Sequence, residues 1–189
     1  MDSRPRKKFF PGGPILFAVT AIALALLVAA VGHWWPRGSL WYAAALVAVL
    51  VLLATALAWA IDMVRLLRTR QALRWRVVVW PLIVVIGVGA AFGSRPSFEN
   101  HRQEFTTIAV DLLGEPGRTE RGGFRIGRFD VARAYDLNGN VFFVDARETL
   151  LLTEVGWVFS PDGEPHQRYG DYSTEHVSGP WYRYSYRLT

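Results

Sequence analysis

Three histidines, His101, His166 and His176, share the second half of the chain with the acids Asp162, Glu164, Asp171 and Glu175. Imidazole and carboxylate groups gathered on one loop can hold a cation, calcium where oxygen donors dominate and zinc where nitrogen does. The stretch Ser160–Pro180 reads as a long loop able to wrap an ion, yet its spacing matches no ligand scheme. Acids so placed are more simply a solvated surface. Asp136-Leu137-Asn138-Gly139-Asn140 resembles a calcium loop, but its glycine is misplaced and no acid follows at the twelfth position. A hairpin turn explains that segment. Ser160, Ser173 and Ser178 lie near His166 and His176 without a G-x-S-x-G elbow, and the chain has no cysteine, so no activated nucleophile is legible. The expectation is a protein with no catalytic residue, metal or cofactor.

Aromatic side chains are the other candidate. Tyr169, Tyr172, Trp181, Tyr182 and Tyr184, with Arg183 among them, combine the residue types that dominate protein interfaces. The same rings would serve as the core of a small domain that has no disulfides. Both readings stand at this level, an interaction surface for a partner protein or glycan and a core.

The elements that must carry these residues fall into two halves. Residues 1–94 hold ten Lys+Arg against Asp2 and Asp62, a net charge of +8; residues 95–189 hold eleven Arg against fourteen acids, a net of −3. Three apolar runs occupy the first half, about 14–32, 40–64 and 77–93, each near the length a helix needs to cross a bilayer. Basic residues flank them on one side only: Arg4, Arg6, Lys7 and Lys8 before the first, and Arg65, Arg68, Arg70, Arg74 and Arg76 between the second and third, against Arg37 alone between the first and second. The positive-inside rule then puts the N-terminal tail (1–13) in the cytoplasm, the 14–94 anchor in the plasma membrane and 95–189 outside. Trp34, Trp35, Trp41 and Tyr42 on the outer side, and Trp75 and Trp80 on the inner, read as interfacial anchors. A pI near 9.9 therefore reflects loops facing anionic lipid headgroups, and nucleic acid is excluded as a partner. Val28-Ala29-Ala30 could end a signal peptide, but the run is long and two more follow, which favours retention.

No run carries a charge at its centre. Asp62 pairs locally with Arg65 three residues on, and Thr20 and Thr55 return their hydroxyls to their own helices. A channel or transporter core is therefore disfavoured. Small residues recur at four-residue spacing, Ala21, Ala25 and Ala29, then Ala44 and Ala48, then Ala56 and Ala60, then Gly89 and Gly93. Such stripes suit helix packing within the anchor, against a membrane-protein partner or in a homo-oligomer.

In the outer half, Phe98–Leu113 has helical periodicity, with Ser97 as N-cap and Gly114 as stop. Strands are expected over Phe124–Tyr135, Val141–Ala146, Leu150–Phe159 and Trp181–Leu188, the first two joined at Asn138-Gly139. The fold class expected is a membrane all-α anchor of three transmembrane helices plus a small extracytoplasmic α+β domain with an antiparallel sheet.

Gly156-Trp157-Val158-Phe159-Ser160-Pro161-Asp162-Gly163, followed by His176-Val177-Ser178-Gly179-Pro180-Trp181-Tyr182, resembles the C-terminal pattern of bacterial, actinobacterial-type multi-span membrane proteins with a small outer domain. Two lysines against nineteen arginines fit a high-GC bacterial source. The resemblance covers about thirty residues and brings no assigned activity. It supports treating the outer half as a domain; the chain as a whole reads as a non-catalytic accessory subunit or envelope-facing interaction module, the alternative is a sensor for a small envelope ligand with the Ser160–Pro180 loop as its lid, and an enzyme stands third.

Overall fold

The computed structural model describes residues 12–68, 76–115, 120–149, 152–165 and 171–187. The chain forms two compact units. One comprises residues 1–31 and 44–94, the other 32–43 and 95–189.

The first unit is helical. Helices α1 (Gly12–Val31) and α2 (Leu40–Arg68) are long and apolar enough to cross a membrane, and α3 (Arg76–Gly93) has a shorter apolar part, Val78–Gly93. Among the described residues, membrane-crossing length is met by these two helices. At about 1.5 Å per residue α3 extends about 27 Å, slightly under a hydrocarbon core of about 30 Å. Ala23, Leu24, Leu27, Val31, Ala48, Leu52 and Ala91 form the shared core. Gly87 of α3 lies so close to Leu24 that an added Cβ would come within 2.6 Å of it. Trp80 does not face outward as an anchor. It is buried, stacks on Trp59 with ring centroids 5.5 Å apart, and donates its indole N–H to the Thr20 hydroxyl at 2.9 Å. An indole N–H in an apolar bundle needs an acceptor, and the Thr20 hydroxyl supplies one. The Thr20 hydroxyl itself donates to the Leu16 carbonyl at 2.8 Å, and the Thr55 hydroxyl to the Leu52 carbonyl at 2.9 Å. Asp62 and Arg65 pair at 3.7 Å on an exposed face. Trp75 lies outside the described residues.

The second unit is one helix packed on a six-stranded antiparallel sheet. After a 3-10 turn (Glu99–His101) comes α4 (Arg102–Gly114), then β1 (Glu120–Ile126), β2 (Phe129–Leu137), β3 (Asn140–Asp145), β4 (Thr153–Phe159), β5 (Asp171–Ser178) and β6 (Trp181–Arg187). The spatial order is β1-β2-β3-β4-β6-β5, so the last strand lies between β4 and the edge strand β5. Three expectations need correction. Ser97 is not an N-cap, since the 3-10 turn begins before the helix and no side chain caps either start. Phe124–Tyr135 is not one strand, because Gly127 turns the chain at φ +54°, where a Cβ would run into the His101 ring. Ser160–Pro180 is not a single loop. It contains β5, whose alternation of Tyr172, Thr174 and His176 with Asp171, Ser173 and Glu175 is polar on both sides and so lacks the apolar signal of a strand. The Asn138-Gly139 hairpin is as expected, with φ of 55° and 77°, the mirror-image turn that matches strand twist.

One face of the sheet packs Phe129, Val131, Ala134, Phe143, Trp157, Phe159 and Trp181 against Phe105, Ala109 and Leu112 of α4. Phe98 stacks on Trp157 at 5.6 Å. The opposite face carries a second cluster of Phe142, Val158 and Tyr184, ringed by Tyr135, Tyr172, Tyr182 and Tyr186.

Candidate functional site

Two polar clusters stand out in the second unit. The first surrounds Arg147, which follows β3 and is only 1% exposed. Its guanidinium donates to the Pro36 carbonyl at 3.0 Å, lies 3.9 Å from the Asp130 carboxylate and sits over the Trp41 ring at 5.4 Å. Trp41 returns the contact, donating its indole N–H to the Arg147 carbonyl at 3.0 Å. Arg128 donates to the Gly32 carbonyl at 3.1 Å, and the His33 ring stands edge-on to Phe129. Residues 32–43 are thus part of this unit's own fold. A buried guanidinium has five donors to satisfy, and backbone carbonyls of a packed loop can meet several at once.

The electrostatics follow from burial. Desolvation pulls the Arg147 guanidinium down, with Asp130 and Asp145 opposing. Burial lifts the Asp145 carboxyl to about 6, although the Arg147 backbone N–H, 2.8 Å from its Oδ1, works against this. Burial and the charge of Arg147 lower His33 to about 4. Asp145 Oδ2 and His33 Nδ1 are buried without a hydrogen-bond partner. Asp130 also pairs with Arg125 at 3.1 Å.

The second cluster is Glu154 on the sheet face away from α4. Its carboxylate accepts from Tyr135 at 2.7 Å, from Tyr184 at 2.8 Å and from Arg133 at 2.7 Å. Burial pushes Glu154 up, but these three donors outweigh it and hold it below the ordinary glutamate range. The same hydrogen bond raises Arg133, whose guanidinium also lies over the Tyr135 ring at 5.0 Å.

The structure divides the sequence candidates. Trp181 and Tyr184, each 1% exposed, are core residues. Tyr172 and Tyr182 lie half-buried on the open face, with Tyr186 beside them. Arg183 points to the other face, over the Trp157 ring and paired with Glu148. Tyr169 and His166 lie outside the described residues. His101 contacts the Ser97 carbonyl and the Phe129 ring, and His176 the Gly179 carbonyl and the Tyr182 ring. Asp136 accepts from the Gly139 N–H of its own turn, and Ser178 donates to Glu99. Among the described residues no three His, Asp or Glu side chains converge as a metal site. In the helical unit Ala48 is buried and Ala29 and Ala44 are half-buried, whereas Ala21, Ala25, Gly89 and Gly93 are exposed, the two glycines facing open space.

Sequence reasoning missed Arg147, Asp130, Asp145 and His33. Asp145-Ala146-Arg147-Glu148 reads locally as a solvated turn, and no periodicity announces that a loop more than a hundred residues away will cover it. No protein-family profile matches the chain, and no curated protein or solved structure is significantly similar to it.

Proposed function

We propose that the chain is a non-catalytic membrane protein, an accessory subunit or envelope-facing interaction module. All three apolar helices span the plasma membrane, the N-terminus is cytoplasmic and the 95–189 region lies outside. The insertion reading is supported by α2, of whose apolar window only 11% is buried. Leu46, Leu50, Leu53 and Leu57 are all exposed, a contiguous apolar surface that water would not tolerate and lipid would. The internal Trp80–Thr20 hydrogen bond supports retention of α1, since a cleaved signal peptide has no reason to complete the bundle's polar pairing. Charge asymmetry about the helices supports the sidedness.

The interaction reading rests on the sheet face opposite α4. There Glu154 and Arg133 bond to each other, and Tyr172, Tyr182 and Tyr186 are half-buried rings of the kind that anchor a partner. The experiment is purification of the full chain in mild detergent from its native membrane. A stoichiometric protein partner should accompany the wild type and a Thr107→Ala control, and be lost from Tyr182→Ser/Tyr186→Ser with the circular dichroism spectrum unchanged. Retention of the partner by the tyrosine variant, or its absence from the wild type, would overturn the reading. A periplasmic-type reporter fused after Thr189 should be active only outside, and activity in the cytoplasm would sink the orientation.

A further inference from the structure

Residues 32–43 belong to the sheet-bearing unit, which holds them by their backbone. Arg128 donates to the Gly32 carbonyl at 3.1 Å and Arg147 to the Pro36 carbonyl at 3.0 Å, so the stretch between is fixed at both ends. Within it Trp34 and Trp35 are 64% and 61% exposed, and Leu40 follows at 66%. Two adjacent indoles kept open by a fixed mount mark a contact surface. The charge beside them is positive. Three guanidiniums, those of Arg147, Arg128 and Arg95, and one carboxylate, that of Asp130, act on the His33 ring. Asp130 is itself shared between Arg125 at 3.1 Å and Arg147 at 3.9 Å. This gathering of arginine stands in a half of the chain whose net charge is −3.

We propose that exposed Arg95 and half-buried Arg128, beside the Trp34–Trp35 pair, bind the headgroup of an anionic phospholipid of the outer leaflet. The inference rests on the membrane reading above. Along the chain, His33 and Arg95 each stand two residues beyond the end of an apolar helix, α1 at Val31 and α3 at Gly93. Two residues of chain reach about 7 Å at most, so helices that cross the bilayer keep both residues at headgroup depth. Indole rings settle at that depth, with an apolar body and a polar N–H. A guanidinium meets a phosphate through two parallel N–H bonds. A zwitterionic headgroup offers the same phosphate but cancels its charge with its own ammonium. The cations therefore select the lipid of net negative charge.

The absence of cysteine allows a single label. Ser39→Cys, exposed on this same stretch, carries a fluorophore in the full chain, reconstituted in vesicles of equal parts phosphatidylcholine and phosphatidylglycerol. One lipid or the other is brominated, and contact quenching then reads which of them neighbours the label. Bromine quenches only adjacent groups, so the basic loops assigned to the inner side do not contribute. Phosphatidylglycerol should be enriched about fivefold, the factor expected for one basic residue near a charged surface. Arg95→Gln/Arg128→Gln should bring it to parity, and Arg95→Gln alone should lower it, which keeps the test alive if losing the Gly32 contact loosens the segment. Arg121→Gln removes the same charge near the start of β1, away from the Gly127 turn, and should leave the enrichment intact. Inorganic phosphate at matched ionic strength should not compete. Equal quenching by the two lipids, or enrichment that survives the double variant, would overturn this proposal and leave membrane insertion standing. Competition by inorganic phosphate would make the occupant a free anion and overturn the lipid assignment. Absence of quenching by either lipid would overturn both this proposal and the insertion reading.

Discussion

Replacing Asp145 by Asn should make the second unit more stable above pH 6 and change the sign of its pH dependence. Asp145 is 1% exposed and its Oδ2 finds no hydrogen bond, so the charged form is held in a site that favours the neutral acid. Its pKa rises from 3.8 to about 6 on folding. A raised carboxyl contributes stability that is complete below pH 3.8 and lost as pH climbs through 6. Two pH units at about 1.36 kcal/mol each give about 3 kcal/mol of destabilisation at neutral pH. His33 acts in the opposite direction. Its pKa falls from 6.5 to about 4, so its stabilisation is complete above 6.5 and lost as pH falls toward 4. The ring is only half-buried, and solvent screening reduces its share to about 1–2 kcal/mol. Between pH 4 and 6 the two slopes oppose, and the wild type should lose a net of about 1–2 kcal/mol as pH rises. An asparagine at this position can keep the Oδ1 acceptor for the Arg147 N–H, so the substitution removes the charge with little change of shape. The assay is denaturant unfolding of the full chain in a nonionic detergent at half-unit steps from pH 4 to 8, followed by tryptophan emission. Asp145→Asn should show stability rising with pH up to 6.5, and His33→Gln stability falling as pH rises from 4 to 6. A pH profile for Asp145→Asn that parallels the wild type would refute the assignment of the slope to this carboxyl.

Arg147→Ala should cost about 3 kcal/mol, because it leaves the Pro36 carbonyl buried without its donor and removes one of the two guanidinium charges beside Asp130; Arg147→Met should cost clearly less than Ala if the loss is partly packing against Trp41, as denaturation midpoints will show. Gly127→Ala should lower stability by about 1–2 kcal/mol or more from the left-handed backbone alone, with the displaced His101 ring visible as a changed histidine NMR shift. Trp80→Phe should cost about 1 kcal/mol for the lost hydrogen bond to Thr20, and the paired Trp80→Phe/Thr20→Val variant should recover part of it in detergent unfolding.

Much of the molecule was legible residue by residue. The apolar runs, the Asn138-Gly139 hairpin, the helix ending at Gly114, the last strand with its tyrosines on one face and the Asp62–Arg65 pair all depend on near neighbours along the chain. Local propensity, turn chemistry and helix spacing act over such distances, so a sequence displays them directly. Elements with no local contrast were lost. β5 alternates polar with polar, and the β1–β2 turn at Gly127 is hidden in a run of strand-forming residues.

What the sequence determined by itself was a basic, apolar first half and an acidic, aromatic second half without cysteine, because composition, charge placement and periodicity are properties of the chain before it folds. What only the tertiary structure decided was which of those residues meet. It buried Trp80 and turned Trp41 inward, giving each indole a hydrogen-bond acceptor. It also drew residues 32–43 into the sheet-bearing unit around Arg147. Each of those outcomes turns on burial, where a donor without an acceptor or a charge without a counter-charge is costly. Burial is set by segments distant in sequence, and no reading of neighbours can supply it.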